Sequence, residues 1–309
     1  MTEFITGWPA YPTKNAWLTI GNFDGVHLGH QALIHGLRER AEAQNGQTLV
    51  LTFWPHPRLV LGHVSEAFLL TTQAEKQRQL QSAGADLVLT LPFDRSLADM
   101  SAEAFLERLN LSTKPAGLLV GPEFRFGKDR QADFVFIQNF CESKGILCET
   151  FPPFQLGDQV VSSNLIRASL IEGQVGKAAE LLGRPFSLEG VIQHGKQIGR
   201  KLGFPTANIT PEPLQLLPRF GVYATRVFLE DQVLMGVTNV GVRPTFESDA
   251  MPNVETLILD FDDRIYHETM RIEFMNFLRQ ERRFEQVEDL IAQIEDDETQ
   301  TRRIFENGP

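Results

Sequence analysis

Trp17-Leu18-Thr19-Ile20-Gly21-Asn22-Phe23-Asp24-Gly25-Val26-His27-Leu28-Gly29-His30 is the stretch from which the fold of the first half follows. Trp17–Ile20 is a short apolar run of strand character. A glycine-bearing turn comes next. From His27 to Gln44 the apolar residues Leu33, Ile34, Leu37 and Ala41 recur at helical spacing. Strand, tight turn and helix in that order make the first half of a β-α-β unit. The helix N-terminus then offers backbone N–H groups and a partial positive charge to a phosphate. Glycine lets the backbone approach a ligand closely, which suits Gly21 and Gly29 to a nucleotide, and Phe23 and Asp24 of the same loop are read as nucleotide-binding positions with them.

The alternation continues outward. Thr48–Phe53 reads as a strand, and Thr72–Ser82 as a helix opened by the capping box of Thr72 and Glu75. Asp86–Leu91, Gly117–Gly121 and Ile146–Thr150 read as strands, and Ser101–Asn110 and Gln131–Ser143 as helices. Repeated β-α-β alternation predicts a doubly wound α/β domain, a parallel sheet with helices on both faces. Ligands of such sheets bind at the carboxyl ends of the strands.

After Gly183-Arg184-Pro185 the pattern changes. Ser187–His194, Gly221–Leu229, Val233–Val240, Val254–Phe261 and Thr269–Met275 are strand-like, with turns and no helices between them. That predicts an antiparallel β-barrel or sandwich. A helix with Val287, Leu290, Ile291 and Ile294 on its apolar face closes the chain. The expected domains are therefore 1–182 and 183–309, in keeping with a length of 309 residues at about 150 per domain.

The formal net charge is −11, and both halves are acidic: 15 basic against 19 acidic side chains in 1–182, and 14 against 21 in 183–309. A nucleic-acid or anionic-membrane footprint calls for the opposite sign, so neither partner is expected. No apolar run reaches the roughly 18 residues that span a bilayer. Met1–Ala10 carries an early Glu3 and no basic segment, unlike a secretory signal. Cys141 and Cys148 show no metal-ligand or disulfide-framework spacing. A cytoplasmic protein is expected.

Four segments carry chemistry. His27 and His30 share one face of a helical turn. They suit hydrogen bonding to a triphosphate and stabilisation of developing charge. A histidine metal pair with Asp24 or His56 is the alternative, and helix capping a third. Gly121-Pro122-Glu123-Phe124-Arg125-Phe126-Gly127-Lys128-Asp129 is not a P-loop, because it has five residues between its glycines and Asp129 where a hydroxyl is required. Its Arg125 remains a candidate for phosphate or flavin. Ser162, Ser163 and Arg167 suit a triphosphate tail or a simple helix cap. In the second half, His194-Gly195-Lys196-Gln197-Ile198-Gly199-Arg200-Lys201-Leu202-Gly203 is a flexible cationic loop, whose Lys196 and Arg200 are candidate phosphate contacts. Thr206 and Asn208, two apart on an extended segment, face one side and are hard oxygen ligands suited to magnesium.

Together these motifs resemble the prokaryotic bifunctional riboflavin kinase/FAD synthetase family. They are G-x-F-D-G-x-H-x-G-H, Thr52-Phe53-Trp54-Pro55-His56-Pro57, Phe124-Arg125-Phe126-Gly127-Lys128, Ser162-Ser163-x-x-Ile166-Arg167, and Gly199-Arg200-x-Leu202-Gly203-Phe204-Pro205-Thr206-Ala207-Asn208. The resemblance implies a Rossmann-like nucleotidylyltransferase domain followed by a riboflavin kinase barrel. It implies ATP, riboflavin and FMN as substrates, FAD as product, and Mg2+ with the nucleotide. In that reading His27 and His30 polarise the ATP phosphates, and Ser162, Ser163 and Arg167 hold the β/γ end. Thr206 and Asn208 help bind Mg-ATP, and Glu255 is the base that accepts the riboflavin 5′-hydroxyl proton. Arg279 and Phe284 fall where the family closes over flavin. The chain departs from the family pattern at Glu123 (usually Asp), Ala132 (Gly), Asn164 (Thr) and His267 (Gly), and at Val254-Glu255-Thr256-Leu257, which keeps the glutamate.

Overall fold

The computed structural model describes residues 2–9, 13–64, 66–194, 199, 202–243 and 251–307. They form two compact units, 1–163 and 164–309.

The first unit runs β1 (Glu3–Thr6), β2 (Trp17–Ile20), α1 (Leu28–Ala43), β3 (Thr48–Trp54), α2 (Pro57–Val60), α3 (Gln73–Ser82), β4 (Leu87–Pro92), α4 (Arg95–Ala98), α5 (Ala102–Thr113), β5 (Gly117–Val120), α6 (Phe134–Lys144) and β6 (Leu147–Thr150). A short hairpin, β7 (Gln155–Leu156) and β8 (Gln159–Val160), follows. The sheet is parallel, in the order β1-β4-β3-β2-β5-β6. Successive side chains of a strand point to opposite faces, and here both faces are buried. Leu18, Leu49, Leu51, Leu87, Leu89 and Leu118 pack with Leu106 of α5 and Ile137 of α6. Trp17, Val50, Val88 and Leu119 pack with Ile34 and Leu37 of α1 and Leu80 of α3. The strand order reverses between β2 and β5, so the switch point where such sheets bind ligands lies at their carboxyl ends.

Gly117 opens β5 opposite Trp17. A Cβ there would lie 2.6 Å from the indole, which is 2% exposed. Gly117→Ala is expected to destabilise this unit by about 1–3 kcal/mol through overpacking, as read by urea unfolding.

The second unit begins with α7 (Ser163–Ile171), which starts on the last residue of the first unit, and α8 (Val175–Leu182). A barrel follows: β9 (Phe186–Gln193), β10 (Thr206–Ile209), β11 (Gly221–Leu229), β12 (Gln232–Arg243), β13 (Met251–Ile258) and β14 (Thr269–Arg279). It closes in the order β10-β13-β12-β11-β14-β9, every pairing antiparallel. The helix α9 (Val287–Glu306) ends the chain. The change of pattern at 182/183 marks where the strands begin, whereas the compact units divide at 163/164. Val175, Ala178, Leu181 and Leu182 of α8 are buried, and α8 packs on β9 and β14.

Two boundaries differ from expectation for local reasons. The helix expected from Gln131 starts at Phe134, because Ala132 is bridged to Phe126 and the Asp133 carboxylate caps by accepting from Phe136 N at 3.2 Å. The strand expected to reach Phe261 stops at Ile258, and Asp260 turns the chain with φ +57°.

Candidate functional site

The loop after β2 is strained. Phe23, Gly25 and Val26 hold φ of +50°, +86° and +38°. Positive φ in a β-branched residue such as Val26 costs of order 1–3 kcal/mol and persists only where the surroundings over-determine it. Here they do. The buried Asp24 carboxylate accepts from Leu70 N (3.0 and 3.2 Å), Thr71 N (3.2 Å) and Thr71 Oγ1 (3.4 Å). Gly25 N donates to Thr71 Oγ1 at 3.2 Å, and Ser163 Oγ to Asp24 O at 2.8 Å. Asp24 thus holds the loop in shape, and Ser163 bonds the same turn. Among the described residues no three of His, Cys, Asp and Glu assemble as a metal cluster, so the histidine metal pair gains no support.

His27 is the N-cap of α1, its Nδ1 accepting from His30 N at 3.3 Å. A neutral ring accepting at Nδ1 carries its proton on Nε2. The two imidazoles stack, with centroids 3.7 Å apart and planes 16° apart. Gly29 between them leaves room for this, since a Cβ would come 3.1 Å from the His27 ring. Capping and stacking are therefore one arrangement rather than alternatives to a functional pair. His30 Nδ1 is buried and without a hydrogen-bond partner among the described residues. Burial above all, then the His27 and Lys76 charges, hold the His30 imidazole well below its usual range.

Lys76, on the first turn of α3, carries no motif in its sequence context to single it out. It is 4% exposed. Its Nζ donates to Phe53 O (3.0 Å), Thr52 Oγ1 (3.2 Å) and Asn22 O (3.4 Å). Burial pushes its amine down to about 8, against the opposing pull of Asp24. From an ordinary value of 10.5, that is about 3 kcal/mol against the charged form.

A cavity of about 710 Å³ opens from Gly21 and Asn22, within the size range of small-molecule sites. Phe53, Phe93, Phe105, Phe124 and Phe126 supply aromatic walls, Arg58, Arg95, Arg125, Lys128 and Arg130 cations, and Asp99, Glu123 and Asp129 carboxylates. Phe124 and Phe126 stack at 5.6 Å, and Phe53 meets Phe93 edge-on at 5.6 Å. Phe53, Phe93 and Phe105 come from separate segments, so no local pattern reveals that they share a wall. The family departures at Ala132 and Asn164 are accommodated. Ala132 is buried in the Phe126 bridge, and Asn164 Oδ1 accepts from Arg167 at 3.0 Å.

In the barrel, Thr206 Oγ1 donates to Glu255 Oε1 at 3.2 Å, and Asn253 Nδ2 to Oε2 at 3.4 Å. Asn208, Glu255 and Asn239 are register partners on three adjacent strands. Directly opposed residues share a face, so they form one polar row. Alternation sends Thr256 to the other face, where Thr225, Thr238 and Thr256 make a buried hydroxyl ladder at 2.8 and 2.9 Å. A cavity of about 70 Å³ beside the row is lined by Thr206, Asn208, Phe261, Asp262 and Tyr266. Lys196 and Arg200 lie outside the described residues.

Arg279 lies in the segment that the resemblance places over flavin. Its guanidinium is paired with Asp297 of α9, which is 1% exposed, through bonds of 2.8–3.1 Å. The pair fastens α9 to β14. His267 holds φ +72°, the left-handed region that favours glycine.

Residues 11–165 match the family model described as FAD synthetase, and residues 182–305 the one described as riboflavin kinase. The bifunctional riboflavin kinase/FMN adenylyltransferase of Escherichia coli K12 is 36% identical over 95% of this chain and 94% of its own. That of Listeria monocytogenes is 33% identical over 94% and 93%. The crystal structure of a macrolide-efflux protein from Streptococcus pneumoniae superposes with a TM-score of 0.88 at 27% identity, over 97% of this chain and 99% of that one. Among the described residues no helix is long and apolar enough to cross a membrane. Two matched models on two compact units, with relatives aligned along nearly the whole chain, leave one assignment: the chain belongs to the bifunctional riboflavin kinase/FMN adenylyltransferase family and is both a riboflavin kinase and an FMN adenylyltransferase.

Proposed function

We propose that the two reactions are divided between the units, with FMN adenylylation on the parallel sheet and riboflavin phosphorylation on the barrel. The stacked His27–His30 pair at the start of α1, beside an aromatic and cationic cavity, carries the first half of this reading. FMN would lie against the phenylalanines. An FMN phosphate oxygen attacks the α-phosphorus of ATP in line, the α–β bridging P–O bond breaks, and pyrophosphate leaves. His27 and His30 donate hydrogen bonds to the phosphates, which stabilise charge as it develops. Gly21, Phe23 and Gly29 shape the loop, Arg125 takes the flavin or its phosphate, and the hydroxyls of Ser162 and Ser163 border the turn. Arg167 belongs by contact to the second unit.

In the barrel Glu255 is the base. It accepts the riboflavin 5′-hydroxyl proton as that oxygen attacks the γ-phosphorus, and ADP leaves. Thr206 and Asn208 would hold Mg2+. The donor set fits, since Thr206 gives its proton to Glu255 and keeps hard oxygen lone pairs for a cation. When bound, the ion neutralises charge on the phosphate oxygens. Lys196 and Arg200 would cover the phosphates. Supply of ATP and two free thiols, Cys141 and Cys148, fit a cytoplasmic site of action.

Chromatography of flavins tests this division. Wild-type protein given riboflavin, ATP and magnesium is expected to form FMN and then FAD. A variant in each unit, assayed once from riboflavin and once from FMN, should block one step only. Loss of both steps from a single variant would sink the division.

A further inference from the structure

Lys76 stands where a lysine is costly. It is buried, and it lies on the N-terminal turn of α3, where the helix dipole disfavours a cation. A well-packed apolar side chain would fill such a position at less cost. The compensation it receives is specific. All three of its oxygen partners lie at the carboxyl ends of β2 and β3, the edge at which this sheet type binds ligands. Asn22 O also accepts from Thr52 Oγ1 at 3.1 Å. The loop bearing His27 is thus tied at two points to the segment 70–76, by Asp24 on Leu70 and Thr71 and by Lys76 on Asn22.

We infer that Lys76 is a positioning residue for adenylyl transfer, whose ammonium ties the loop after β2 to the end of β3 so that His27 and His30 are presented to the nucleotide. It touches no reacting atom itself. The ionisable groups coupled to it are Asp24 of the loop and His30 of α1. Removing its charge therefore also removes one cause of the low His30 proton affinity.

The inference rests on the assignment of adenylyl transfer to this loop, and the test separates the two. FMN-to-FAD conversion is measured for Lys76→Met, Thr52→Val and His30→Ala, with urea unfolding of the first unit as the check that it has folded and riboflavin phosphorylation as the check on the barrel. Lys76→Met is expected to lower kcat about 10–100-fold, since small misplacements of reacting groups cost up to about 10²-fold. KM for ATP should move less than about threefold, and proton uptake on binding ATP should shift to higher pH as His30 loses a neighbouring cation. Thr52→Val keeps the shape, removes one tie, and should show the same split more weakly. Lys76→Met within twofold of wild type beside an impaired His30→Ala overturns the role of Lys76. So does a loss in Lys76→Met with unmoved proton uptake and an unaffected Thr52→Val. An unaffected His30→Ala overturns the assignment of the loop instead.

Discussion

Glu255→Gln is expected to lower kcat for riboflavin phosphorylation by about 10²–10⁴-fold, the usual contribution of a positioned general base, and to leave FMN-to-FAD conversion unchanged. The substitution keeps size and shape. Thr206 Oγ1 still finds an oxygen acceptor at the place of Oε1, so the strand pairing of β10 with β13 does not depend on the charge. The lost property is the ability to take a proton from the 5′-hydroxyl. The readout is flavin chromatography started once from riboflavin and once from FMN. A variant that phosphorylates riboflavin within threefold of wild type would remove Glu255 from the chemistry. A variant that also loses FAD formation from FMN would show that the two units do not work separately.

His30→Ala is expected to reduce FAD formation by about 10²–10³-fold, the scale of losing one preorganised donor to developing charge, with riboflavin phosphorylation preserved. The pH dependence carries a second expectation. The native His30 imidazole sits well below its usual range, so below about 6.5, the ordinary histidine value, the unfolded chain binds the proton more readily than the folded one. Stability from this group is present above that pH and is lost as pH falls toward the lower native value. His30→Ala should flatten the acid side of the stability curve of the first unit, read by urea titrations from about pH 7 to about pH 5, the window that brackets the ordinary value. Bound triphosphate supplies the counter-charge that His30 lacks, so ATP binding should be accompanied by proton uptake in wild type and less in His30→Ala. Calorimetry in buffers of different ionisation enthalpy measures it. Equal uptake in both proteins would place the proton elsewhere.

Where residues that act together are close in sequence, their chemistry is legible in the sequence itself. His27, Gly29 and His30 span a single turn, and their glycine is explained by the ring it must clear. Thr206 and Asn208 share a face because a strand has period two. The continuous apolar runs Leu49-Val50-Leu51 and Leu87-Val88-Leu89 mark strands buried on both faces, and the strand content after Pro185 marks an antiparallel barrel or sandwich, which only the closed strand order settles as a barrel. β1 escapes such a reading because Glu3–Thr6 is short and mostly exposed, with no apolar period to detect.

Periodicity and local motifs by themselves determined a parallel α/β unit and an antiparallel barrel or sandwich, because each is encoded over short stretches of chain by backbone geometry, and the resemblance of those motifs to a known family supplied the two nucleotide-dependent chemistries. Tertiary structure decided everything that depends on non-local contact. It set the strand order that puts β2 beside β5, and it gathered the phenylalanine cavity from Phe53, Phe93 and Phe124. It also gave Arg279 to Asp297 and set Lys76 against Asn22. A lysine on a helix reads as solvated until packing removes the water, and only the packed structure shows which oxygens take the water's place.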